Sequence, residues 1–290
     1  MNTDQIDLTG RRIIVTGASR GLGRAMATAF VRHGARVLIT ATNQEALDEV
    51  MAECDKSSGD CIAVTADVTQ PKDLDRMIHM AEMVFGGTDV LVNNAGIAVS
   101  SLRADFWQRP VRFWEVEMAD YRRFFEINTF SALQLSRAVI PGMMARGWGR
   151  IINITTSLDT MLRPGMAPYG GSKSALEAMT AVMGGDLEGT GVTANVLTPG
   201  GPADTRMVPK EMGLPREALI SAQAMVPPAV WLASNESDGV TACRFLAANW
   251  SPELPLKQAL ENARAPAAWM GYGTKAVIPG LEPRAVEATN

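Results

Sequence analysis

The stretch NITTSLDTMLRPGMAPYGGSK, residues 153–173, closes on Tyr169 and Lys173. Side chains four residues apart share one face of a helix. An ammonium beside a phenol favours the phenolate and lowers a pKa that otherwise lies near 10. A phenol tuned in this way takes a proton from an alcohol or returns one to a carbonyl oxygen. The same stretch opens on three adjacent hydroxyls, Thr155, Thr156 and Ser157. Neighbours on a strand point to opposite faces, so Thr156 and Ser157 do not both reach one site unless the strand has ended.

A second group of residues suits a phosphate. In TGASRGLG, residues 16–23, Gly17, Gly21 and Gly23 let backbone approach a ligand closely. A helix beginning there presents unpaired N–H groups and a positive dipole end, which suits a pyrophosphate. Asp67 in ADV offers a carboxylate to an adenine amino group, or serves only as a helix cap or loop acid. In NNAG, residues 93–96, the Asn amides are suited to tying strand ends together, and Gly96 leaves room for a ribose.

The elements that must position these groups alternate. Apolar, β-branched runs at 13–15, 37–40, 61–66 and 89–93 read as strands, as do GRIINITT, VTANVLT and CRFLAAN. Helical patterns lie between them: the run ending at Gly34, EALDEVMAEC, PKDLDRMIHMAEMVF with Pro71 in its first turn, and a long helix from Met118 to Gly147. Pro141 marks a kink or turn near the end of that helix. A further helix carries Tyr169 and Lys173. Strands joined by crossover-length helices imply an α/β fold: a doubly wound, Rossmann-type parallel sheet in one domain, with helices on both faces. Every motif then falls at a strand C-terminus, where ligands of such sheets collect. We place this domain at 1–248, followed by an Ala- and Pro-rich tail at 249–290 that reads as an oligomer arm, a lid or loosely packed chain.

In this order and at these intervals, TGASRGLG, ADV, NNAG, Asn128 in FEINTF, the hydroxyl cluster, YGGSK and Pro199–Gly200 resemble the classical subtype of the short-chain dehydrogenases/reductases, over residues 8–248. The resemblance implies a catalytic tetrad of Asn128, a Ser or Thr, Tyr169 and Lys173. Tyr169 would be the acid/base. Lys173 would also hydrogen-bond the nicotinamide ribose, the hydroxyl would polarise the substrate oxygen, and Asn128 would help hold a relay water. The family spacing of thirteen residues before the tyrosine picks Thr156, whereas the usual residue type picks Ser157. Identity favours Ser157, and Thr156 stays open.

The resemblance also implies NAD(P)(H) contacts from Gly17, Ser19, Arg20, Gly21, Leu22, Gly23, Thr42, Asp67, Val68, Asn94, Ala95, Gly96, Tyr169, Lys173, Pro199, Gly200 and Thr205. Ala41 and Thr42 stand where NAD-preferring members carry an acid, and Arg20 stands where NADP-preferring members often carry a base. NADP(H) is therefore favoured and NAD(H) remains possible. The implied activity interconverts a secondary alcohol and a ketone by hydride transfer. The alternatives are reduction of a 3-oxoacyl thioester, or a catalytically silent nucleotide-binding scaffold. Family members commonly dimerise, often within a tetramer, through the long helix and the Tyr169 helix. Gly184–Gly185 suggest close helix approach there, or a frayed helix end.

Two segments remain for the substrate. Residues 97–123 carry Phe106, Trp107, Phe113 and Trp114 among Arg103, Arg109 and Arg112. They line a pocket, or the aromatics pack on the core with the arginines in solvent. Residues 207–221 read as a lid, with Met207, Val208, Met212 and Leu214 as its apolar side chains. A net charge of −4 argues against nucleic acid and anionic membrane as partners. The polar N-terminus lacks the apolar region of a signal peptide, and no apolar run spans a bilayer. Cys54, Cys61 and Cys243 read as reduced cysteines of a cytoplasmic protein. With two histidines and no Cys/His cluster, a metal site has no support.

Overall fold

A computed structural model describes residues 3–54 and 59–269. Strands β1 (Arg12–Thr16), β2 (Arg36–Ala41), β3 (Asp60–Thr65), β4 (Val90–Asn93), β5 (Gly149–Ile154), β6 (Val192–Thr198) and β7 (Cys243–Leu246) form a parallel sheet in the order β3-β2-β1-β4-β5-β6-β7. An antiparallel strand, β8 (Arg264–Pro266), extends it beyond β7. The strand order reverses between β1 and β4, where a doubly wound sheet opens its ligand crevice.

The helices are α1 (Gly21–Arg32), α2 (Gln44–Cys54), α3 (Pro71–Phe85), α4 (Met118–Phe125), α5 (Ser131–Ala145), α6 (Leu158–Leu162), α7 (Tyr169–Asp186), α8 (Val226–Leu232) and α9 (Leu256–Ala263). Two apolar layers hold them on the sheet. Ile13, Val15, Val37 and Ile39 face one layer, with Phe30 of α1, Leu47 of α2 and Trp231 of α8. Ile14, Leu38 and Leu91 face the other, with Met77 of α3 and Leu135 and Val139 of α5. Strands β4, β5 and β6 are buried along their whole length, as a sheet covered on both faces requires.

Three details differ from the sequence reading. The long helix is divided: Glu126–Phe130 form a π-helical turn between α4 and α5. A π turn inserts one residue into the helical repeat and re-aims the side chains on it, here Asn128. Helix α5 then runs through Pro141 to Ala145, so that proline does not end it. The described part of the 249–290 segment is packed. Trp250 is buried 5.9 Å from the Trp231 ring, Ala259 and Ala263 of α9 join the core, and β8 pairs with β7. Residues 270–290 lie outside the described residues.

The Gly184–Gly185 pair also resolves. Gly184 is buried, and a Cβ there would lie 2.8 Å from the Ala242 Cβ and 2.9 Å from the Ala242 N. The helix therefore comes close to the chain's own Thr241–Ala242 turn. A Cβ at exposed Gly185 meets nothing within 4 Å. Gly184→Ala is expected to destabilise the fold by about 1–3 kcal/mol through overpacking. Gly185→Ala is expected to be neutral or to stabilise by up to about 1 kcal/mol through helix propensity. Denaturant unfolding of both variants checks the contrast.

Candidate active site

The site is built around the clamp between the ends of β1 and β4. Thr16 Oγ1 accepts from the Asn94 and Ala95 backbone N–H groups, both at 3.0 Å. Asn94 Nδ2 donates to the carbonyls of Thr16 (2.9 Å) and Gly17 (3.0 Å). Asn93 turns the other way and donates to Asn153 Oδ1 of β5 at 2.8 Å. The amides thus fasten three adjacent strand ends.

This fastening leaves no space for side chains in the glycine-rich turn. A Cβ at Gly17 would lie 2.8 Å from the Ala95 Cα, and one at Gly23 would lie 2.4 Å from the Gly17 O. No side chain caps the first turn of α1, so its N–H groups remain available to an anion. Thr205 reaches the same place: a Cβ on Gly21 would lie 3.0 Å from its Cγ2. Pro199 and Gly200 follow β6, and the Pro199 carbonyl accepts from Ala248 N. Ser19 is half-buried, while Arg20 and Thr42 are exposed. Asp67 Oδ1 accepts from the Thr69 N and Oγ1, a local turn. The side chains of Leu22 and Val68 belong to the core.

Gly96 joins this cradle to the side chains of Asn128 and Lys173. A Cβ on Gly96 would lie 3.0 Å from Asn128 Oδ1 and 3.4 Å from Lys173 Nζ. Asn128 is buried and held on both sides of its amide: Oδ1 accepts from Ile97 N, and Nδ2 donates to Ile97 O and to Ser172 Oγ at 2.9 Å. Ser172 Oγ in turn donates to the Tyr169 carbonyl. Lys173 is buried, with its Nζ donating to the Ile154 carbonyl at 2.8 Å.

The two candidate hydroxyls separate. Thr156 is the hydroxyl that lowers the Tyr169 phenol's pKa, against the effect of burial. Ser157 caps α6: its Oγ accepts from Thr160 N and lies 2.8 Å from Thr160 Oγ1. Identity pointed to Ser157, but the geometry sets Thr156 beside the tyrosine. Thr155 is buried behind them, on Glu177. A helix as short as α6, needing its own cap, is what sequence spacing does not reveal.

The electrostatics also depart from the sequence expectation. Burial pushes the Tyr169 phenol above its ordinary value, and the Thr156 hydrogen bond offsets part of this. Burial lowers the Lys173 ammonium from 10.5 to about 8. Each group loses water, and desolvation outweighs the attraction expected from their spacing.

The substrate segments have a different character from either reading. Phe106 and Trp107 pack edge to face at 5.7 Å, whereas Phe113 and Trp114 are 66% and 70% exposed. Arg103 pairs with Glu115 and donates to the Arg109 carbonyl, and Arg109 pairs with Asp105. The base of the 207–221 segment is fastened by Asp204 N to Ile220 O and by the Arg216–Asp204 pair, leaving Met207 and Leu214 exposed.

A family model described as short chain dehydrogenase matches residues 11–212. The chain belongs to the short-chain dehydrogenase/reductase family. It is 36% identical over 252 residues to a short-chain type dehydrogenase/reductase of Picea abies, covering 81% of this chain and 90% of the relative. It is 33% identical to the 7alpha-hydroxysteroid dehydrogenase of Escherichia coli K12, covering 69% and 74%. The crystal structure of a short-chain type dehydrogenase/reductase from Mycobacterium marinum superposes with a TM-score of 0.72 at 25% identity, covering 82% and 94%. Family membership, the Rossmann-type sheet and the Tyr169/Lys173 helix together make this short-chain dehydrogenase an NAD(P)(H)-dependent oxidoreductase acting on alcohols and ketones. Among the described residues no cluster of His, Cys, Asp and Glu is placed to hold a metal, and no helix is long and apolar enough to cross a membrane.

Thr16 and Ser172 lie inside the TGASRGLG and YGGSK motifs, but sequence reasoning gave neither a role; it missed Glu177 and Arg244, which carry no spacing signal because each meets its partners only through the fold.

The buried lysine has a measurable cost. Its ammonium is disfavoured in the fold, so the penalty is complete below about pH 8 and fades as pH rises toward the unfolded value of 10.5. Lys173→Met is therefore expected to raise Tm at pH 7, by a margin that shrinks between pH 8 and 10.5, while turnover is lost. Calorimetry across that range checks this, and a lower Tm at pH 7 contradicts it.

Proposed function

We propose that this protein is an NADP(H)-preferring reductase and dehydrogenase of small secondary alcohols and ketones, with Tyr169 as acid/base and Thr156 as the hydroxyl that polarises the substrate oxygen. The observation that carries the reading is the convergence of Asn128 Oδ1 and Lys173 Nζ on Gly96, beside the glycine cradle, with Lys173 on the helix that opens at Tyr169 and Thr156 the hydroxyl that lowers the Tyr169 pKa. The cradle of Gly17, Gly21, Gly23, Asn94–Gly96 and Thr205 suits a dinucleotide, because the close contacts at its glycines exclude side chains and leave backbone N–H groups for the pyrophosphate. When bound, the nicotinamide supplies or accepts the hydride. Tyr169 then gives its phenolic proton to the carbonyl oxygen in reduction, or takes the alcohol proton in oxidation, while Thr156 donates to that oxygen. Lys173 holds the strand end at Ile154 and its charge favours the phenolate.

Preference for the 2′-phosphate rests on the exposed guanidinium of Arg20 and on Ala41 and Thr42, which offer no carboxylate to repel it. The exposed Phe130, Met144, Met179 and Val182 of α5, α7 and the π turn support a homodimer through that face.

Kinetics with ethyl acetoacetate, cyclohexanone and benzaldehyde as probes, each with NADPH and NADH, test the reading. Tyr169→Phe is expected to lose about 10²–10⁴-fold in kcat with cofactor affinity retained. Thr156→Val is expected to lose about 10²–10³-fold. Ser157→Ala keeps its turnover and loses about 1 kcal/mol of stability with the α6 cap. The reverse pattern at 156 and 157 overturns Thr156. Arg20→Glu is expected to weaken NADPH and spare NADH.

A further inference from the structure

Three successive residues at the end of β5 are each held by a different charged side chain. Lys173 Nζ takes the Ile154 carbonyl. Thr155 Oγ1 donates to Glu177 Oε2 at 3.0 Å. Arg244 Nη2 donates to the Thr156 carbonyl at 3.1 Å. Glu177 and Arg244 also face each other, with Arg244 Nε 3.5 Å from Glu177 Oε1. The glutamate has no exposure and the arginine side chain is 9% exposed. Glu177 lies one turn beyond Lys173 and two beyond Tyr169 on α7. Arg244 lies on β7, where its register partner is Ala265 of β8. The Ala268 amide, just past β8, donates to Glu177 Oε1 at 3.4 Å.

A buried ion pair is a poor stabiliser, since well-packed apolar residues of similar volume serve as well or better. Its position suggests another use. Thr156 lies beyond the last residue of β5 and before α6, so neither ladder nor helix fixes its backbone. Its β-branched side chain has few χ1 choices, so its hydroxyl direction follows the backbone. Whatever holds the Thr156 carbonyl therefore aims the Thr156 hydroxyl.

We propose that Glu177 and Arg244 are positioning residues which, braced by the C-terminal β8 turn, hold the 154–156 segment so that the Thr156 hydroxyl meets the Tyr169 phenol. This rests on Thr156 and Tyr169 being the working pair. Neither side chain touches the reacting atoms. Their effect is on where one proton donor points.

The test is the double variant Glu177→Leu/Arg244→Met in the full chain, which removes the pair without leaving a lone charge. Tyr169 ionisation is followed by the tyrosinate absorbance of the three-tyrosine protein, subtracting the same titration of Tyr169→Phe. Lys173, the charged group on the same helix face, is unchanged, and the double substitution is neutral overall. A rise in the Tyr169 midpoint therefore reports loss of the lowering effect of the Thr156 hydroxyl. The Tyr169 midpoint is expected to rise by about 0.5–1 unit. With ethyl acetoacetate and NADPH, kcat is expected to fall about 10–100-fold while KM and the NADPH Kd stay within about twofold. Thr155→Val, which removes only the hydroxyl on Glu177, is the second variant in case the double variant fails to fold. A fall of about 3–10-fold in kcat, restored by Thr155→Ser, is expected. Arg12→Met, breaking the Arg12–Asp89 pair at the opposite ends of the strands, is the control that lowers stability without moving either readout. Wild-type titration and kcat in the folded variants overturn the proposal. If Tyr169→Phe is inactive in the same assay, only the positioning role has failed. If Tyr169→Phe remains active, the reading of the site has failed and the positioning role with it.

Discussion

One threonine hydroxyl sets the geometry on which the site depends. Thr16 closes β1, and its oxygen accepts two backbone N–H groups from the turn after β4. Asn94 answers with two hydrogen bonds to the carbonyls of Thr16 and Gly17. Buried polar groups must find partners, and here the partners belong to the two strands that flank the reversal of strand order. The contact draws the glycine-rich turn so close to Ala95 that a side chain on Gly17 has no room. It also delivers Gly96 to the point where Asn128 and Lys173 converge. The glycine cradle and the Asn128 and Lys173 side chains meet at Gly96 because this clamp holds the turn that carries it.

The opposite wall is held from α7. Its side chains Tyr169, Lys173 and Glu177 follow one another along a single face and meet the end of β5. The π turn at 126–130 completes the wall by presenting Asn128 to both Ile97 and Ser172. Asn128, Lys173 and Glu177 are buried, which is costly in a sheet of apolar strands unless each is paired. The pairing makes the site rigid before any substrate arrives, and electrostatic catalysis needs that rigidity.

Much of this was legible in the chain. The strands announce themselves because the central ones are covered on both faces and so are β-branched and apolar throughout. The cradle, NNAG and the Tyr169–Lys173 pair lie in short motifs whose spacing is their geometry. What stayed hidden depends on contacts between distant residues. Reading Ser157 as an α6 cap required seeing a five-residue helix, though Asp159 in its first turn is a helix-start signal. The π turn lies inside an unbroken helical pattern. Strand β8 is three residues long, ends at Pro266 and lies at the sheet edge, where proline is tolerated. Glu177 and Arg244 are 67 positions apart, and each alone reads as an ordinary surface charge.

A crevice between β1 and β4 that takes a dinucleotide within reach of the Tyr169 wall must bind NADPH and NADH in the purified protein, and titration with each, followed by the cofactor's fluorescence, reads this. Saturable binding of both is expected, tighter for NADPH. Tighter NADH binding would remove Arg20 as the phosphate reader and leave the clamp intact. Binding of neither would rule out a dinucleotide site in this crevice.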